Sequence, residues 1–221
     1  MNISAEAVGW DRQYESGRYD NEPPIPFVNQ IIDELGEAGK KQSGLYVGCG
    51  NGRNYIPLVQ SGLDLRGIDI SAVGVNQIID KYPAAAGKVW QQSFEGLTSA
   101  RVFDYLVAIQ VFQHGDEQKI HKYFRNSVDA LKPGGKLFLR VNSTSTQIKH
   151  RQQVVEQNEH GGFTVIYEEG PKAGVEIHFF SKIELERIAD SNKFNIIKPL
   201  VDVIEPRHIH ADGVWAQWEG I

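Results

Sequence analysis

Three glycines at alternate positions are the residues of this chain whose types and spacing best predict a chemistry. Gly48, Gly50 and Gly52 follow an apolar segment at residues 45–47 and precede a segment with helical spacing. Glycine is needed where the backbone adopts a positive φ angle or lies against a ligand without a Cβ atom in the way. In a parallel sheet, ligands bind at such a turn between the first strand and its helix. The glycines therefore predict a bound ligand, with an ordinary flexible loop as the alternative.

The glycine spacing distinguishes between kinds of nucleotide site. A dinucleotide site expects G-x-G-x-x-G, whereas this chain has G-x-G-x-G, and Arg53 stands where the third glycine is expected. A G-x-x-x-x-G-K-[ST] loop is also missing, because Gly52 is followed by Arg53 and Asn54. The spacing counts against NAD and against a nucleoside triphosphate.

A carboxylate adds the second part of the predicted site. Asp69 stands at the end of a second predicted strand, residues 63–68, and 19 residues after Gly50. A carboxylate at this place can accept hydrogen bonds from both hydroxyls of a ribose. The alternative is an aspartate at a helix start beside Ser71. The two features together predict a ribose without a bound pyrophosphate.

The segments around these residues alternate between short apolar runs and helical spacing. This alternation predicts βαβ units and a doubly wound, mostly parallel α/β sheet with right-handed crossovers. Strands are predicted at residues 45–47, 63–68, 89–91, 103–109 and 136–141, and helices at 54–60, after Ser71, and at 116–131. Lys-Pro-Gly-Gly at residues 132–135 is predicted to stop the last of these helices.

The two ends of the chain have a different pattern. Residues 1–43 predict an N-terminal helical cap, with a helix that starts after Pro26. Residues 142–162 predict a loop or a frayed helix, and the runs 163–167 and 175–180 predict an inserted β-hairpin. Ser181 and Glu184 predict a capping box that opens another helix. Residues 194–203 and 214–218 predict a final antiparallel pair of strands.

Between residues 44 and 142 the motifs resemble those of the class I S-adenosylmethionine-dependent methyltransferases. Residues 45–54 match the glycine-rich first motif of that family, and 68–71 look like its acidic second motif. Residues 93–94 fall at the position that borders the adenine, 103–107 resemble the fourth strand, and 131–137 are similar to the turn into the fifth strand. The five motifs occur in the expected order and at the expected separations.

The resemblance implies a seven-stranded sheet with a reversed last strand, and S-adenosylmethionine as cofactor with S-adenosylhomocysteine as product. The chain length and the pattern of segments predict a single domain at residues 1–221. Its parts would be the cap at 1–43, the cofactor-binding core at 44–142, an insertion that covers the substrate at 143–180, and the rest of the sheet at 181–221.

The resemblance also assigns cofactor contacts. The implied contacts are Gly48, Gly50 and Gly52 around the methionine part, Asp69 with Ile70 at the ribose, Ser93 and Phe94 at the adenine, and Gln110 beside the methionine end. Trp10, Asp11 and Tyr14 resemble a W-D-x-x-Y start whose helix covers the cofactor, so Tyr14 is a further candidate contact. One departure is that residues 91–93 lack the acidic residue usual at the adenine.

Methyl transfer from a sulfonium needs mainly an aligned acceptor, so catalytic residues are hard to infer from sequence. His114, just past the fourth strand, is the candidate base, and a structural histidine that pins this loop is the favoured alternative. His208 and His210 would share one face of a strand, but no carboxylate or cysteine accompanies them at ligand spacing. No metal is therefore predicted, and the two histidines would line the substrate entrance.

Composition limits the class of partner. The 221 residues have a net charge of −5, one cysteine, Cys49, and no apolar run of membrane-spanning length. These properties exclude an intramolecular disulfide and predict a cytoplasmic protein that binds neither nucleic acid nor membrane; they leave the oligomeric state open. A small-molecule substrate, enclosed by residues 1–30 and 143–180, is expected. A peptide or protein substrate, a non-catalytic cofactor-binding module and a nicotinamide-dependent oxidoreductase remain as alternatives.

Overall fold

The computed structural model describes residues 5–98, 100–148, 150–170, 172–204 and 215–221. Six α-helices and ten strands lie in these residues. The helices are α1 (Ala5–Glu15), α2 (Phe27–Gly39), α3 (Tyr55–Gln60), α4 (Ala72–Lys81), α5 (Glu117–Ala130) and α6 (Lys182–Ser191). The strands are β1 (Ser43–Val47), β2 (Asp64–Asp69), β3 (Val89–Gln91), β4 (Phe103–Ile109), β5 (Leu131–Asn142), β6 (Gln152–Gln157), β7 (Phe163–Tyr167), β8 (Glu176–Phe179), β9 (Val201–Ile204) and β10 (Ala216–Gly220). Short 3-10 helices cover Pro83–Ala85 and Phe94–Gly96.

The main sheet has the order β3-β2-β1-β4-β5-β10-β9 within the described residues. Strand β2 pairs in parallel with both β1 and β3, whereas β10 pairs antiparallel with β5 and with β9. The predicted seven-stranded α/β sheet with a reversed last strand is confirmed. Its central strand β4 is buried at nearly every position, as expected for a strand covered on both faces.

The chain divides into two compact units. The first unit comprises the described residues up to Val107 together with Asp129–Lys136, and the second comprises Ala108–Val128 with the described residues from Leu137 to Ile221. Strands β4 and β5 contribute residues to both units. The single domain with the boundaries 1–43, 44–142, 143–180 and 181–221 remains a prediction.

In the first unit, helix starts follow their sequence signals. The hydroxyl of Ser71 accepts a hydrogen bond from the backbone N–H of Gly74 at 3.0 Å, so Ser71 caps α4 as predicted. Helix α2 begins at Phe27, directly after Pro26, and contains a break at Gly36, whose φ angle is +50°. No helix in the described part of the chain is long and apolar enough to cross a membrane.

The structure corrects two predictions about strands. Residues 152–157, predicted as loop or frayed helix, form β6, which pairs antiparallel with β7, so the expected hairpin is part of a three-stranded sheet with the order β6-β7-β8. Strand β6 is exposed along most of its length, and backbone pairing rather than apolar burial holds it. Strand β5 starts at Leu131, five residues before the predicted start. The sequence Lys-Pro-Gly-Gly at residues 132–135 is typical of a turn, so it gave no indication of a strand there.

A third correction concerns the predicted capping box at the start of α6. Ser181 accepts a hydrogen bond from the N–H of Glu184 at 3.0 Å, but the carboxylate of Glu184 is bound by other groups. It lies 2.9 Å from Nε2 of His178 and accepts a hydrogen bond from Asn158 at 2.7 Å. The carboxylate of Glu184 thus binds the buried imidazole of His178 instead of the backbone N–H of Ser181.

The contact between β1 and β4 gives a prediction about stability. A Cβ atom at Gly44 would lie 2.1 Å from Cε2 of Tyr105, whose ring is fully buried. We expect Gly44→Ala to lower the free energy of unfolding by about 1–3 kcal/mol, because a well-packed core accommodates an added methyl group only by strain. Urea denaturation followed by circular dichroism measures the change.

Gly9→Ala in α1 is the matched control. No atom lies within 4 Å of the Cβ position at Gly9, and alanine favours a helix over glycine by about 1 kcal/mol, so stability should stay equal or rise. Equal unfolding midpoints for the Gly44 variant and wild type would contradict this account of the packing.

Candidate active site

The carboxylate of Asp69 joins the end of β2 to the glycine turn. Its Oδ2 accepts a hydrogen bond from the N–H of Gly50 at 2.7 Å, and its Oδ1 accepts one from the N–H of Ser71 at 2.8 Å. The carbonyl of Ile68 accepts hydrogen bonds from Gly48 and Cys49 at 2.8 and 3.0 Å. The sequence-predicted Gly50 and Asp69 are therefore in direct contact.

Burial sets the electrostatics of this carboxylate. Asp69 is 7% exposed, and burial raises its pKa from 3.8 to about 6, although the N–H groups of Ser71 and Gly50 act in the opposite direction. At neutral pH the carboxyl group of Asp69 is thus mostly ionised, because its pKa lies only slightly below that pH. Burial also raises the pKa of the Cys49 thiol well above its ordinary value, which keeps it protonated. A protonated thiol is a poor nucleophile, so Cys49 fits the turn as a small side chain and not as a reactive group.

The three turn glycines are constrained by different neighbours. All three have positive φ angles, 68° at Gly48, 55° at Gly50 and 88° at Gly52. A Cβ atom at Gly52 would lie 2.8 Å from Cδ1 of Ile56, so that glycine allows α3 to pack closely. A Cβ atom at Gly50 would lie 2.6 Å from the hydroxyl oxygen of Tyr14. Their contacts with the methionine part of a cofactor remain predictions.

The non-glycine residues of the turn hold the N-terminal segment. Arg53 donates to the carbonyl of Pro23 at 2.8 Å and to the carboxylate of Glu22 at 3.0 Å. Asn51 donates to the carbonyl of Arg18 at 3.3 Å, and Asn54 accepts from the N–H of Ile25 at 3.0 Å. Sequence reasoning treated Arg53 only as a missing glycine, because its partners lie about thirty residues away in the chain.

Helix α1 is fixed to the start of α4, next to the turn. The carboxylate of Asp11 accepts hydrogen bonds from the hydroxyl of Ser71 at 2.5 Å and from the N–H of Val73 at 3.1 Å. The carbonyl of Tyr14 accepts one from Gln77 at 3.1 Å. Burial, and then the charge of Asp69, raise the pKa of Tyr14 well above its ordinary value. The structure therefore brings Tyr14 to the same site as Gly50 and Asp69.

The residues predicted at the adenine also lie in the first unit. The hydroxyl of Ser93 accepts a hydrogen bond from the N–H of Glu95 at 3.2 Å and begins the short 3-10 helix, in which Phe94 is buried. The carbonyl of Ile70 accepts a hydrogen bond from the side chain of Gln91 at 3.0 Å. The adenine contacts of Ser93 and Phe94 and the ribose contact of Ile70 remain predictions.

The second unit contains the other two predicted site residues. Gln110 has a φ angle of 58°, rare for a side-chain-bearing residue, and its N–H donates to the carbonyl of Arg140 at 2.7 Å. His114 is buried, forms an isolated bridge with Ile177, and has its pKa lowered to about 3, first by burial. A base this weak takes a proton poorly, which favours the structural alternative. The catalytic role of His114 and the cofactor contact of Gln110 remain predictions.

His208 and His210 lie outside the described residues. In the part of the chain that the structure describes, no group of three or more His, Cys, Asp or Glu side chains could hold a metal ion.

A family model decides the class of protein. The model described as a methyltransferase domain matches residues 18–198, which is most of the chain. The chain belongs to this methyltransferase family. The predicted class I S-adenosylmethionine-dependent methyltransferase is therefore confirmed, as are its enzymatic activity and its cofactor, S-adenosylmethionine. No curated protein matches the sequence.

Solved structures of other proteins share the fold of this methyltransferase. An N1-methyltransferase from Burkholderia thailandensis, with bound 1,6-didemethyltoxoflavin and S-adenosylhomocysteine, has 16% identity and a TM-score of 0.66 over 98% of this chain and 88% of its own. A possible histamine N-methyltransferase from Thermotoga maritima has 14% identity and a TM-score of 0.64 over 97% and 99%. Magnesium protoporphyrin IX methyltransferase from Synechocystis PCC 6803 has 15% identity and a TM-score of 0.58 over 99% and 91%.

The turn of the methyltransferase is predicted to bind the ribose of this cofactor. An ionised carboxylate has about four acceptor positions, and the two backbone N–H groups occupy one on each oxygen of Asp69. The ribose hydroxyls are predicted to bind at the acceptor positions that the backbone leaves open. The oriented N–H bonds hold the carboxylate in place before the cofactor binds.

The raised pKa of Asp69 gives a prediction about pH. We expect the affinity of the methyltransferase for S-adenosylhomocysteine to be full only well above pH 6 and to fall as the pH decreases through about 6, because a protonated carboxyl loses the stronger hydrogen bonds of the charged form. Asp69→Asn should bind about tenfold or more weakly at pH 7.5, which corresponds to about 1.5–3 kcal/mol, and should lack this transition. Isothermal titration calorimetry from pH 5 to 8 measures both effects.

Asp64→Asn on the same strand is the control, because Asp64 is exposed and pairs with Lys88. It should keep the wild-type pH profile of cofactor binding.

The free energy of unfolding of the cofactor-free protein should change with pH in the opposite direction. Between 3.8 and about 6 the folded state binds more protons at Asp69 than the unfolded state does, so the stability contributed by Asp69 rises as the pH falls. An identical pH profile for the Asp69 variant and wild type would place the ribose elsewhere.

Proposed function

We propose that this methyltransferase transfers the methyl group to an oxygen or nitrogen atom of a small molecule. The observation that carries the proposal is the backbone hydrogen bonding of β8 and Phe180 to the chain at the carboxyl ends of β4 and β5. The N–H of His178 donates to the carbonyl of Gln113 at 2.8 Å, and the N–H of Phe180 donates to the carbonyl of Asn142 at 2.9 Å. The three-stranded sheet is thereby joined to the segments that follow β4 and β5.

The attachment of the three-stranded sheet at this place bears on the size of the methyl acceptor. Open α/β sheets bind ligands outside the carboxyl ends of their strands. In the second unit, the three-stranded sheet is joined to the backbone at the carboxyl ends of β4 and β5, and we expect it to leave room for a small acceptor rather than for a polymer. The net charge of −5 also gives no attraction for nucleic acid, and a cytoplasmic location remains part of the proposal.

The chemistry is an in-line displacement. The cofactor supplies an electrophilic methyl group on a sulfonium, whose carbon–sulfur bonding electrons remain on sulfur when the acceptor's lone pair forms the new bond. The protein's main task is to hold the acceptor atom about 3–3.5 Å from the methyl carbon and in line with the breaking bond, which contributes about 7–11 kcal/mol.

The weak basicity of His114 favours an acceptor that needs no strong base. A histidine with a pKa of about 3 is neutral at physiological pH and holds an abstracted proton poorly. A neutral amine or ring nitrogen, or an oxygen that is already ionised, has its lone pair ready and releases any remaining proton to water. The Burkholderia protein, described as an N1-methyltransferase, and the Thermotoga protein, described as a possible histamine N-methyltransferase, support nitrogen among these acceptors.

A methyl-transfer experiment tests the proposal. The purified methyltransferase is incubated with S-adenosylmethionine labelled in the methyl group and with three separate pools: small metabolites below 1 kDa (about the size of a cofactor), total protein and total RNA. We expect label in the metabolite pool, and we expect Asp69→Asn to reduce it at subsaturating cofactor because ribose binding is weakened. Transfer to protein or RNA alone would contradict the small-molecule proposal.

A binding control separates the alternatives. Calorimetry with S-adenosylhomocysteine and with NAD should show binding of the first compound only. Cofactor binding without transfer to any of the three pools would favour the non-catalytic module.

A further inference from the structure

Three side-chain amides form a hydrogen-bonded row in the second unit. Nε2 of Gln110 donates to Oε1 of Gln217 at 3.4 Å, and Nε2 of Gln217 donates to Oδ1 of Asn142 at 2.7 Å. Gln217 on β10 and Asn142 on β5 are directly opposite each other in the antiparallel register. We call Gln110, Gln217 and Asn142 the amide row. The row starts just after β4 and ends at the last residue of β5.

Asn142 is held in place from several sides. Its N–H donates to Oε1 of Gln113 at 2.8 Å, and its carbonyl accepts from the N–H of Phe180 at 2.9 Å. Its side-chain oxygen is held by Gln217. The backbone and the amide plane of Asn142 are thus both fixed, so the direction of its side-chain nitrogen is fixed too.

That nitrogen is the unsatisfied member of the row. Nδ2 of Asn142 is buried and has no hydrogen-bond partner among the described residues, and the whole side chain is 0% exposed. A buried donor without a partner costs free energy, so buried donors normally bind protein, water or a ligand. A leucine would fill the same volume without this cost. A buried donor retained at this cost is typical of a group that binds an acceptor atom from outside the chain.

The charges near the row define the chemistry of that acceptor atom. Arg140 and Glu219, the next residues along the same faces of β5 and β10, form a buried ion pair at 2.8 Å. Asp202 on β9 accepts a hydrogen bond from the hydroxyl of Ser143 at 2.9 Å. The row itself offers a neutral N–H donor, and an anionic group would lose its hydration here without meeting an uncompensated cation. An uncharged acceptor atom fits.

We propose that Asn142 is a specificity-determining residue for the methyl acceptor, and that its Nδ2 donates a hydrogen bond to a carbonyl oxygen or an unprotonated ring nitrogen of an uncharged small molecule. Gln217 holds the amide in the required orientation. The inference rests on the proposed small-molecule function and names the recognised group. It also explains why the amide row ends in a donor at the carboxyl end of a central strand, where α/β enzymes bind their ligands.

Side-chain amide NMR on the full chain tests the contact directly. The resonances of Asn142 are assigned by their loss in Asn142→Asp, and the ¹⁵N-labelled protein with saturating S-adenosylhomocysteine is titrated with pyridine and 2-pyrrolidone. We expect both probes to shift the Asn142 amide resonances. Benzene and cyclopentane, which have matching shapes without an acceptor atom, should leave them in place. Equal responses to the matched pairs, or no response, would overturn the proposal.

Kinetics give a second readout. Asn142→Asp keeps an oxygen for Gln217 to donate to but removes both N–H donors, so transfer of labelled methyl to the metabolite pool should fall about tenfold or more, with the affinity for S-adenosylhomocysteine unchanged. Asn142→Leu should lower the transfer by a similar factor, again with the affinity for S-adenosylhomocysteine unchanged. Asn195→Leu, at an exposed position between α6 and β9 and outside the residues predicted to enclose the substrate, is the control and should keep wild-type transfer.

The outcomes separate the two proposals. Wild-type transfer to metabolites that Asn142→Asp fully retains would overturn the role of Asn142 but leave the small-molecule function standing. If wild type transfers no label to metabolites, the small-molecule function fails, and the NMR titration alone still decides whether Nδ2 binds an acceptor atom. Loss of cofactor affinity in Asn142→Asp would mean that the residue supports the fold and does not select the acceptor.

Discussion

The buried carboxylate of Asp69 is the interaction on which the cofactor side of this methyltransferase depends. It joins the end of β2 to the N–H of Gly50 and to the N–H of Ser71, so one side chain fixes both the turn and the start of α4. Removing it from water raises its pKa to about 6, and the two backbone donors offset part of that penalty. Because Ser71 also binds Asp11, the same interaction indirectly positions α1.

The second unit contains many buried polar groups, and most of them are compensated within the described chain. Arg140 pairs with Glu219, and His178 lies between Thr164 and Glu184 at 2.9 Å from each. Such networks are stable only when their members are satisfied, because the low dielectric that strengthens each hydrogen bond also raises the cost of a missing one. In the described part of the second unit, Nδ2 of Asn142 and the hydroxyl of Tyr167 depart from this rule. Asn142 lies at the carboxyl end of β5, where ligands bind in α/β enzymes, so we assign its Nδ2 to recognition of the acceptor.

The sequence predicted the buried strands well and the exposed one poorly. Strand β4 occupies Phe103–Ile109 as predicted, because burial on both faces leaves a continuous apolar run. Strand β6 has no such run, since it lies at the edge of its sheet, exposed along most of its length and held by backbone hydrogen bonds to β7 that any sequence could form. The side chain of Glu184 was predicted to cap its own helix, but a buried histidine six residues earlier binds it instead.

The sequence by itself determined the glycine turn, the carboxylate that follows it and the methyltransferase family, because all of these are encoded in short segments with fixed spacing. Only the tertiary structure decided what surrounds them. It placed Ile56 against Gly52 and the hydroxyl of Tyr14 against Gly50, and it set Gln217 beside Asn142 across 75 residues of chain. Local spacing constrains backbone conformation, whereas hydrogen-bond partners far apart in sequence meet only through the order and register of the strands.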